Sequence, residues 1–337
     1  MKIIITSLLI GSAALTAAAQ NNEPFLTRSF NQPVKNVEVK TSGGNISVTG
    51  GSSEVKVEMY VWAKNLSKQE IQKKLDEDYE INISVTNNQL SAIAKRKPSL
   101  KFWNNGLSIS FKVFVPREVS TNLGTSGGNI NMANLSGEQI FKTSGGNLSV
   151  DQLSGRIDGK TSGGNISVKN TSNSIDLSTS GGNITAINCS GNVKMKTSGG
   201  SLTLDNMEGA ISARTSGGNI QGKSIKGELM AHTSGGNVQL DNFSGSLETS
   251  TSGGNIHADV KELGKYVTIS NSGGSIDLAL PADKGLDLKL HASKINMASV
   301  KNFSGSKDDN DMKGTINGGG VPVTVKASSG RLNLALR

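Results

Sequence analysis

The strongest constraint on this chain is a four-residue string, Thr-Ser-Gly-Gly, that recurs at a fixed spacing of 18 residues. The copies with this spacing begin at Thr125, Thr143, Thr161, Thr179, Thr197, Thr215, Thr233 and Thr251. An altered copy begins 20 residues after the last of them, at Asn271. A short fixed period is typical of a solenoid, in which each repeat forms one coil and packs only on its neighbours.

Equal positions of successive repeats predict how each coil is built. The sixth position always holds a branched aliphatic residue, in order Ile130, Leu148, Ile166, Ile184, Leu202, Ile220, Val238 and Ile256. The eighth, eleventh and fifteenth positions are mostly apolar as well, and polar residues separate them. Alternation with period two predicts strands, and we expect the Gly-Gly pair to supply the positive φ that reverses the chain.

The predicted fold class is therefore all-β, a right-handed parallel β-solenoid with 18-residue coils of two short strands each. Solenoid ends expose strand edges that need covering, so we expect a small mainly-β cap with one short helix before the array. The predicted divisions are a signal peptide (1–19), the capping region (20–120), the solenoid (121–280) and a closing β segment (281–337).

The first residues have the pattern of an export signal. Lys2 precedes an apolar run over residues 3–15, and Ala17-Ala18-Ala19 supplies the small residues of a cleavage site. The run is too short for a bilayer span, so we expect an exported mature chain without a transmembrane segment. The periplasm, the outer-membrane surface and the extracellular space all remain open as its location.

The predicted cap holds four strand patterns and a helix. The string Ser67-Lys68-Gln69-Glu70 is a capping box, and it opens a helix with Ile71, Leu75 and Tyr79 on one face. The strands are expected at Val34–Lys40, Val55–Trp62, Ile81–Val85 and Leu107–Val115. An isolated Thr-Ser-Gly-Gly-Asn-Ile begins at Thr41, 84 residues before Thr125. Because 84 is not a multiple of 18, this copy is expected to lie outside the regular register.

Asparagine follows the Gly-Gly pair in most repeats. These residues are Asn129, Asn147, Asn165, Asn183, Asn219, Asn237 and Asn255. Stacked amides can hydrogen-bond along the axis as a structural ladder, and that interpretation is favoured over a row of ligand-binding amides.

The charge of the chain favours anionic partners. Lys and Arg number 35 against 27 acidic residues, a formal net charge of +8, and the excess lies mostly outside the repeats. In an exported protein this favours anionic envelope polymers over nucleic acid. The sharpest cluster is Lys95, Arg96 and Lys97 with Lys101 and Trp103, which could contact an anionic glycan or a membrane surface. The alternative is a solvated loop whose aromatic residues pack inward.

Two charged features are predicted on the faces of the array. A basic column contains Lys142, Lys160, Lys196, Arg214 and His232. Two carboxylate pairs stack on neighbouring coils, Asp158 with Asp176 and Asp241 with Asp259. Paired carboxylates are what a retaining glycosidase needs, but flat exposed strands beside lysines favour a solvated face instead.

Other chemistry is disfavoured by residue type. A single cysteine, Cys189, excludes an intramolecular disulfide and a cysteine-based metal site, and its column makes it a buried spacer. Three scattered histidines disfavour a metal centre, and the turns lack the aspartates of calcium-binding repeats. The Gly-x-Ser-x-Gly match at Gly124 recurs as Ser-Gly-Gly throughout, unlike a unique nucleophile. We therefore expect no cofactor and no catalytic residue.

The motifs together resemble a known family. The step Val115-Pro116, the repeated Thr-Ser-Gly-Gly-Asn-Ile and the closing Ala327-Ser-Ser-Gly-Arg-Leu332 are similar to the bacterial putative-adhesin β-solenoid domain family, from about residue 34 onward. The resemblance implies a non-catalytic solenoid of the cell envelope and offers no catalytic residues.

Three functions stay open from the sequence. The favoured one is a non-enzymatic envelope protein, adhesin-like or a scaffold, whose rigid polar faces bind glycan, peptidoglycan or a surface protein. A polysaccharide-acting enzyme is the alternative, by analogy of fold alone. An ice-binding solenoid is third, because the repeated threonine lies beside the turn rather than in paired exposed columns.

Overall fold

The computed structural model describes residues 23–98, 106–298 and 302–337, so the predicted signal peptide lies outside the described residues. The described strands belong to one 22-stranded sheet, and stacked parallel pairs run through its length. The predicted all-β solenoid with one short helix is confirmed. The right-handed sense of the coils and the four-part division of the chain stay predictions.

The repeats pair in parallel with an offset of 18 residues. Residue 148 lies on residue 130, residue 166 on 148, and so on along the array. The strands are β9 (Ile130–Lys142), β10 (Leu148–Lys160), β11 (Ile166–Lys169), β12 (Ser172–Ser178), β13 (Ile184–Lys196), β14 (Leu202–Arg214), β15 (Ile220–His232), β16 (Val238–Thr251), β17 (Ile256–Asn271) and β18 (Ile276–Leu280). Most coils thus carry one long bent strand, and the predicted division into two short strands holds only for the coil of β11 and β12.

The bends lie where the sequence did not predict them. Positive φ occurs at the tenth position of the coils, as at Asn134 (57°) and Asn206 (52°), and at the thirteenth, as at Gly209 (119°). The prediction that the Gly-Gly pair supplies positive φ is wrong, because neither glycine of any Ser-Gly-Gly repeat among the described residues is in that region. Asparagine tolerates the left-handed conformation better than other side chains, which explains its frequency at the tenth position.

The second glycine of each pair is required by the closeness of the next coil. A Cβ on Gly200 would lie 2.8 Å from the main-chain nitrogen of Asn183, and closer still to the carbonyl oxygen of Gly182. Real Cβ atoms keep at least 3.0 Å from such neighbours. A Cβ on the first glycine, Gly199, would have no neighbour nearer than 3.6 Å, and nothing in the structure explains that residue.

The repeated threonine closes the same turn from inside. The Thr143 hydroxyl donates to the carbonyl oxygen of Gly128 at 2.8 Å and accepts from the N–H of Gly146 at 3.2 Å. Later coils repeat both bonds, and at the altered copy the amide of Asn271 makes corresponding ones. The threonines at these positions are buried, so they do not form the exposed row that an ice-binding face would need.

The predicted apolar columns form one continuous core, including Cys189, which is 1% exposed. The seventeenth position adds a column that the sequence analysis missed, and its side chains compensate one another in size. Phe141 and Leu177 occupy it on either side of Gly159, where a Cβ would lie 2.8 Å from the Leu177 side chain. A small residue between two large ones keeps the core filled without strain.

The N-terminal region caps the array by an excursion of the chain. Its strands are β1 (Leu26–Phe30), β2 (Asn36–Lys40), β3 (Ile46–Thr49), β4 (Val55–Trp62), β5 (Tyr79–Thr86), β6 (Gln89–Arg96), β7 (Ser108–Phe114) and β8 (Ser120–Gly124). Strand β3 pairs in parallel with β9, so that Ile46 lies on Ile130. The expectation that the copy at Thr41 lies off the register is wrong: β3 forms the first half of a coil in register with β9, and β8 completes that coil after an insertion.

The excursion then covers that first coil. Strands β6 and β7 lie on β2 and β3 in parallel, and β4, β1 and β5 add antiparallel pairs at the edge. The helix α1 (Lys68–Asp78) confirms the predicted capping box, since Ser67 and Glu70 exchange their hydrogen bonds. It buries Ile71 and Leu75 against the cap.

The C-terminal end uses the same plan in reverse. Its strands are β19 (Leu286–Met297), β20 (Phe303–Lys307), β21 (Asp311–Ile316) and β22 (Val321–Leu336). The last strand, β22, inserts between the array and β19, pairing in parallel with β17, β18 and β19. Strands β20 and β21 then cover β19 in antiparallel pairs. Each end is thus closed by a coil that the terminal part of the chain supplies.

Candidate functional site

The asparagines after the Gly-Gly pairs bond to the main chain of the next coil. Asn147 N–H donates to Asn129 Oδ1 at 2.8 Å, and Asn183 N–H donates to Asn165 Oδ1 at 2.8 Å. Ser201 interrupts the row and accepts through its hydroxyl at 3.1 Å. The row begins in the cap with Asn45, whose Oδ1 accepts from Asn129 N–H. These bonds use the side-chain oxygens of the row, which accept from the main chain of the next coil.

Side-chain amides bond directly to one another at the tenth position instead. Asn206 Nδ2 donates to Asn188 Oδ1 at 2.9 Å, and Asn188 Nδ2 donates to Asn170 Oδ1 at 3.0 Å. The same residues carry the positive φ of the bend. This second row was missed because sequence reasoning assigned the turn to the glycines.

The predicted basic column is in register. Lys142 pairs with Lys160, Lys196 with Arg214 and Arg214 with His232, and Ser178 fills the gap between Lys160 and Lys196. Asp158 lies 2.9 Å from Lys160. Within the described residues, no carboxylate lies within 4.0 Å of Lys142, Lys196 or Arg214. We call Lys142, Lys160, Lys196, Arg214 and His232 the basic row.

His232 is the least exposed member of the basic row. Burial lowers its pKa below the usual 6.5, and the neighbouring positive charge of Arg214 lowers the pKa further. Glu248, whose carboxylate lies 3.6 Å from the ring, opposes the shift. The imidazole Nδ1 lies 2.8 Å from the Ser250 hydroxyl.

The stacked carboxylates lie among lysines. Asp158 and Asp176 are paired in register, and Lys194 lies 3.3 Å from Asp176. In the second predicted pair, His257 lies 3.8 Å from Asp241, while Lys261 lies 2.9 Å from Asp259. Each of these carboxylates thus has a lysine or histidine side chain within 4.0 Å.

The predicted basic–aromatic cluster is described only in part. Lys95 and Arg96 are exposed at the end of β6, and Lys97 donates from Nζ to the carbonyl oxygen of Asp76 at 2.8 Å. Lys101 and Trp103 lie outside the described residues. Ligand contact by this cluster stays a prediction.

A different aromatic surface lies on the cap. Along β4, Val57 and Met59 point into the core, so Lys56, Glu58, Tyr60 and Trp62 point outward. Trp62 is 57% exposed. Opposite them on β7 lie Phe114, Lys112, Ser110 and Ser108. We call Tyr60, Trp62, Ser110, Lys112 and the neighbouring Asn45 the cap surface.

Charged neighbours hold Tyr60 in place. Lys112 Nζ lies 4.7 Å from the centre of the Tyr60 ring, and the Tyr60 hydroxyl donates to Glu58 at 2.9 Å. Burial and this bond to a carboxylate raise the pKa of Tyr60. The hydrogen bond from Lys56 lowers the pKa of Glu58. Glu58 is therefore ionised at neutral pH, and the tyrosine ring has a fixed orientation.

The cap surface borders a groove of about 630 Å³, within the range of ligand sites. Asn45, the start of the asparagine row, lines it together with all the other members of the cap surface. Sequence reasoning missed this groove. The alternation Val55-Lys-Val-Glu-Met-Tyr-Val-Trp62 places both aromatic residues on the face opposite the valines, and that signal was available.

The part of the chain that the structure describes contains neither a cluster of metal-binding side chains nor a membrane-spanning helix. Three or more histidine, cysteine or acidic side chains converge nowhere in residues 23–98, 106–298 and 302–337. Over the same ranges, no helix is long and apolar enough to cross a membrane. Burial raises the pKa of the Cys189 thiol, which keeps it protonated and unreactive.

The stacked coils and capped ends are those of a β-solenoid domain. One family model matches nearly the whole chain. The model for Toastrack DUF4097 matches residues 26–335. The chain belongs to this family.

The solved structures that match this chain share little sequence with it. One is a protein described as a "putative cell adhesion protein" from Clostridium sporogenes ATCC 15579, with 12% identity, 94% of this chain and 100% of that one covered, and a TM-score of 0.19. Another is described as a "putative adhesin" from Bacteroides fragilis NCTC 9343, with 14% identity, 92% and 96% covered, and a TM-score of 0.24. None of the curated proteins compared with the chain matches it significantly.

Proposed function

We propose that this protein is a non-catalytic, exported protein of the cell envelope, adhesin-like or a scaffold, that binds an extended envelope polymer along its rigid faces. The polymer is a glycan or peptidoglycan. A surface protein is the other partner that such a protein would bind. The signal-peptide pattern of residues 1–19 supports export to the periplasm, the outer-membrane surface or the cell exterior.

The observation that carries this proposal is the basic row. Lys142 and Lys160 lie on neighbouring paired strands, as do Lys196, Arg214 and His232, and neighbouring strands are about 4.8 Å apart. Like charges at this spacing repel one another, and three of them have no carboxylate nearby among the described residues. A linear polymer with repeating carboxylates would relieve the repulsion at several coils together, which a small ligand cannot do.

The carboxylates of the array support a binding role over hydrolysis. A glycosidase needs one carboxyl group kept protonated by an apolar or like-charged environment. Asp158 and Asp176 each have a lysine within 3.3 Å and are partly exposed on the strand face. Carboxylates paired with lysines on a strand face are typical of a solvated surface.

The test is co-sedimentation with isolated peptidoglycan sacculi, whose peptide stems carry carboxylates. In one variant, Lys142, Lys196 and Arg214 are all replaced by glutamine. We expect about a tenfold loss of affinity, because exposed charges contribute roughly 0.5 kcal/mol each. We also expect binding of the unchanged protein to weaken as salt rises.

A matched control removes the same charge from other faces. Lys169, Lys223 and Lys226 are exposed and lie outside the basic row, so their replacement by glutamine keeps the net charge equal to that of the first variant. The control should sediment within about twofold of the unchanged protein. Equal losses of affinity in both variants would mean that net charge, and not the basic row, determines binding. Absence of sedimentation of the unchanged protein would contradict the proposed function.

A further inference from the structure

The exposed indole of Trp62 is the most unusual surface feature of the described residues. The indole is 57% exposed and lines the groove, so a ligand that covered it would remove apolar surface from water. Within residues 23–98, 106–298 and 302–337, the Trp62 side chain has no hydrogen-bond or ring partner. Its indole N–H is therefore available to a ligand.

The groups around Trp62 are preorganised. Tyr60 lies two residues earlier on the same face and is held by Lys112 and Glu58. The Ser110 hydroxyl accepts from the main-chain N–H of Asn45 at 2.9 Å, which fixes its position too. Little conformational entropy is therefore lost when a ligand enters the groove.

We infer that the cap surface is a binding site for an uncharged hexopyranose chain. The C–H face of a pyranose ring is apolar and flat, and it packs on an aromatic ring, while its equatorial hydroxyls need donors and acceptors at the rim. Trp62 supplies the aromatic plane. Asn45, Ser110 and Lys112 supply an amide, a hydroxyl and an ammonium group beside it.

Other ligand classes fit this surface less well. An extended peptide would add to a free strand edge, but β4 is already paired with β1 on one side and β7 on the other. A lipid tail would need an enclosed apolar pocket, whereas the lining includes Glu23, Lys68 and Lys112. An acidic sugar would meet the carboxylate of Glu23 in the lining and that of Glu58 beside it.

The site also opens onto the array. Asn45 begins the asparagine row that continues through Asn129 and Asn147 along the axis. Further sugar units could follow this row outward from Trp62. The inference rests on the proposed polymer-binding function, and it names a sugar site that is separate from the basic row.

The test uses the purified full chain with two named probes, chitotetraose and cellotetraose, in isothermal titration calorimetry. We expect at least one probe to bind, with a loss of about tenfold or more in Trp62→Ala. Trp62→Tyr retains an aromatic plane and should stay within about threefold. Ile140→Ala serves as the matched control, because Ile140 is also a large exposed apolar residue, 40% exposed, on another face.

Circular dichroism shows whether each variant is folded, so that a folding defect is separated from lost binding. Equal affinity of Trp62→Ala and the unchanged protein, or no binding of either probe, would overturn the sugar site. If neither tetrasaccharide binds but sacculi still sediment and depend on the basic row, only the sugar site fails. If sacculi do not sediment while a probe binds through Trp62, only the proposed basic-row function fails.

Discussion

The two glycines of one repeat offer a direct test of how the coils stack. Gly200→Ala places a Cβ 2.8 Å from Asn183 N and closer to the Gly182 carbonyl oxygen. Gly199→Ala adds the same methyl group one residue earlier, where the nearest atom is 3.6 Å away. The two substitutions therefore have equal composition and differ only in the space that the neighbouring coil leaves.

The expected difference follows from the hydrogen bonds around Gly200. Its N–H donates to the Thr197 hydroxyl at 3.2 Å, and its carbonyl oxygen accepts from Thr215 at 2.7 Å. Ser201 N–H donates to Asn183 Oδ1 at 2.8 Å. If the coils separate to admit the Cβ, these three bonds are lost or weakened, at about 1 kcal/mol each, so Gly200→Ala should cost about 3 kcal/mol.

Gly199→Ala should change stability by no more than about 0.5–1 kcal/mol, in the stabilising direction, since alanine restricts the unfolded chain. Urea unfolding followed by far-ultraviolet circular dichroism measures both free energies, and the slope shows whether part of the solenoid unfolds separately. Equal destabilisation by both variants would refute the reasoning. It would mean that the glycines are needed for their backbone conformation rather than for the closeness of the coils.

Three further predictions concern the turn, the asparagine row and pH. Thr143→Val should lower the free energy of unfolding, measured in urea, by about 2–4 kcal/mol, because it leaves the Gly128 carbonyl and the Gly146 N–H buried without partners. Thr143→Ser keeps the hydroxyl and should lower it by only about 1 kcal/mol. Asn165→Ala should cost about 1 kcal/mol and Asn165→Ser clearly less, as serine already serves in one coil of the row; equal costs would contradict the bonding role. Below about pH 6.5 the unfolded chain binds more protons at His232 than the folded one, so stability should fall as pH falls, and His232→Gln should flatten that part of the unfolding-versus-pH curve.

The interior of the array was predictable because its signal is periodic. Ile130 and its equivalents recur at one position of every coil, and alternation with polar residues assigns them to the inside without knowledge of the neighbours. The capping box at Ser67 was predictable for a similar reason, since both of its hydrogen bonds join residues three apart. Patterns of this kind predict structure because they depend only on residues that are close together in the sequence.

Features that depend on a neighbouring coil were not predictable in the same way. The sequence shows a glycine at Gly200 but does not tell whether a positive φ or the closeness of the next coil requires it. The prediction of a positive φ was wrong, and the closeness of the next coil is the reason. The spacing of 84 residues between Thr41 and Thr125 also led to a wrong prediction of register. An insertion separates two coils in sequence that are adjacent in space. Trp62 could be assigned to the outward face from alternation, but its exposure depends on what the rest of the cap covers.

The arrangement of the ends leads to a last prediction. Strand β22 lies between the array and the C-terminal cap, and it hydrogen-bonds to β17 and β18 on one side and β19 on the other. Truncation after Gly320 removes β22 and leaves parallel edges without partners on both sides. Exposed edges of this kind pair with other chains, so we expect concentration-dependent association of the truncated protein.

Size-exclusion chromatography with light scattering at two protein concentrations measures this association. Lys326→Ser is the control, because Lys326 is an exposed residue of β22 and its replacement keeps every main-chain pair. Its mass should equal that of the unchanged protein. A truncated chain with unchanged mass and urea midpoint would show that the cap closes the array without β22. The stability of the solenoid would then reside in the repeats alone, and the insertion of the chain's end between array and cap would have no structural role.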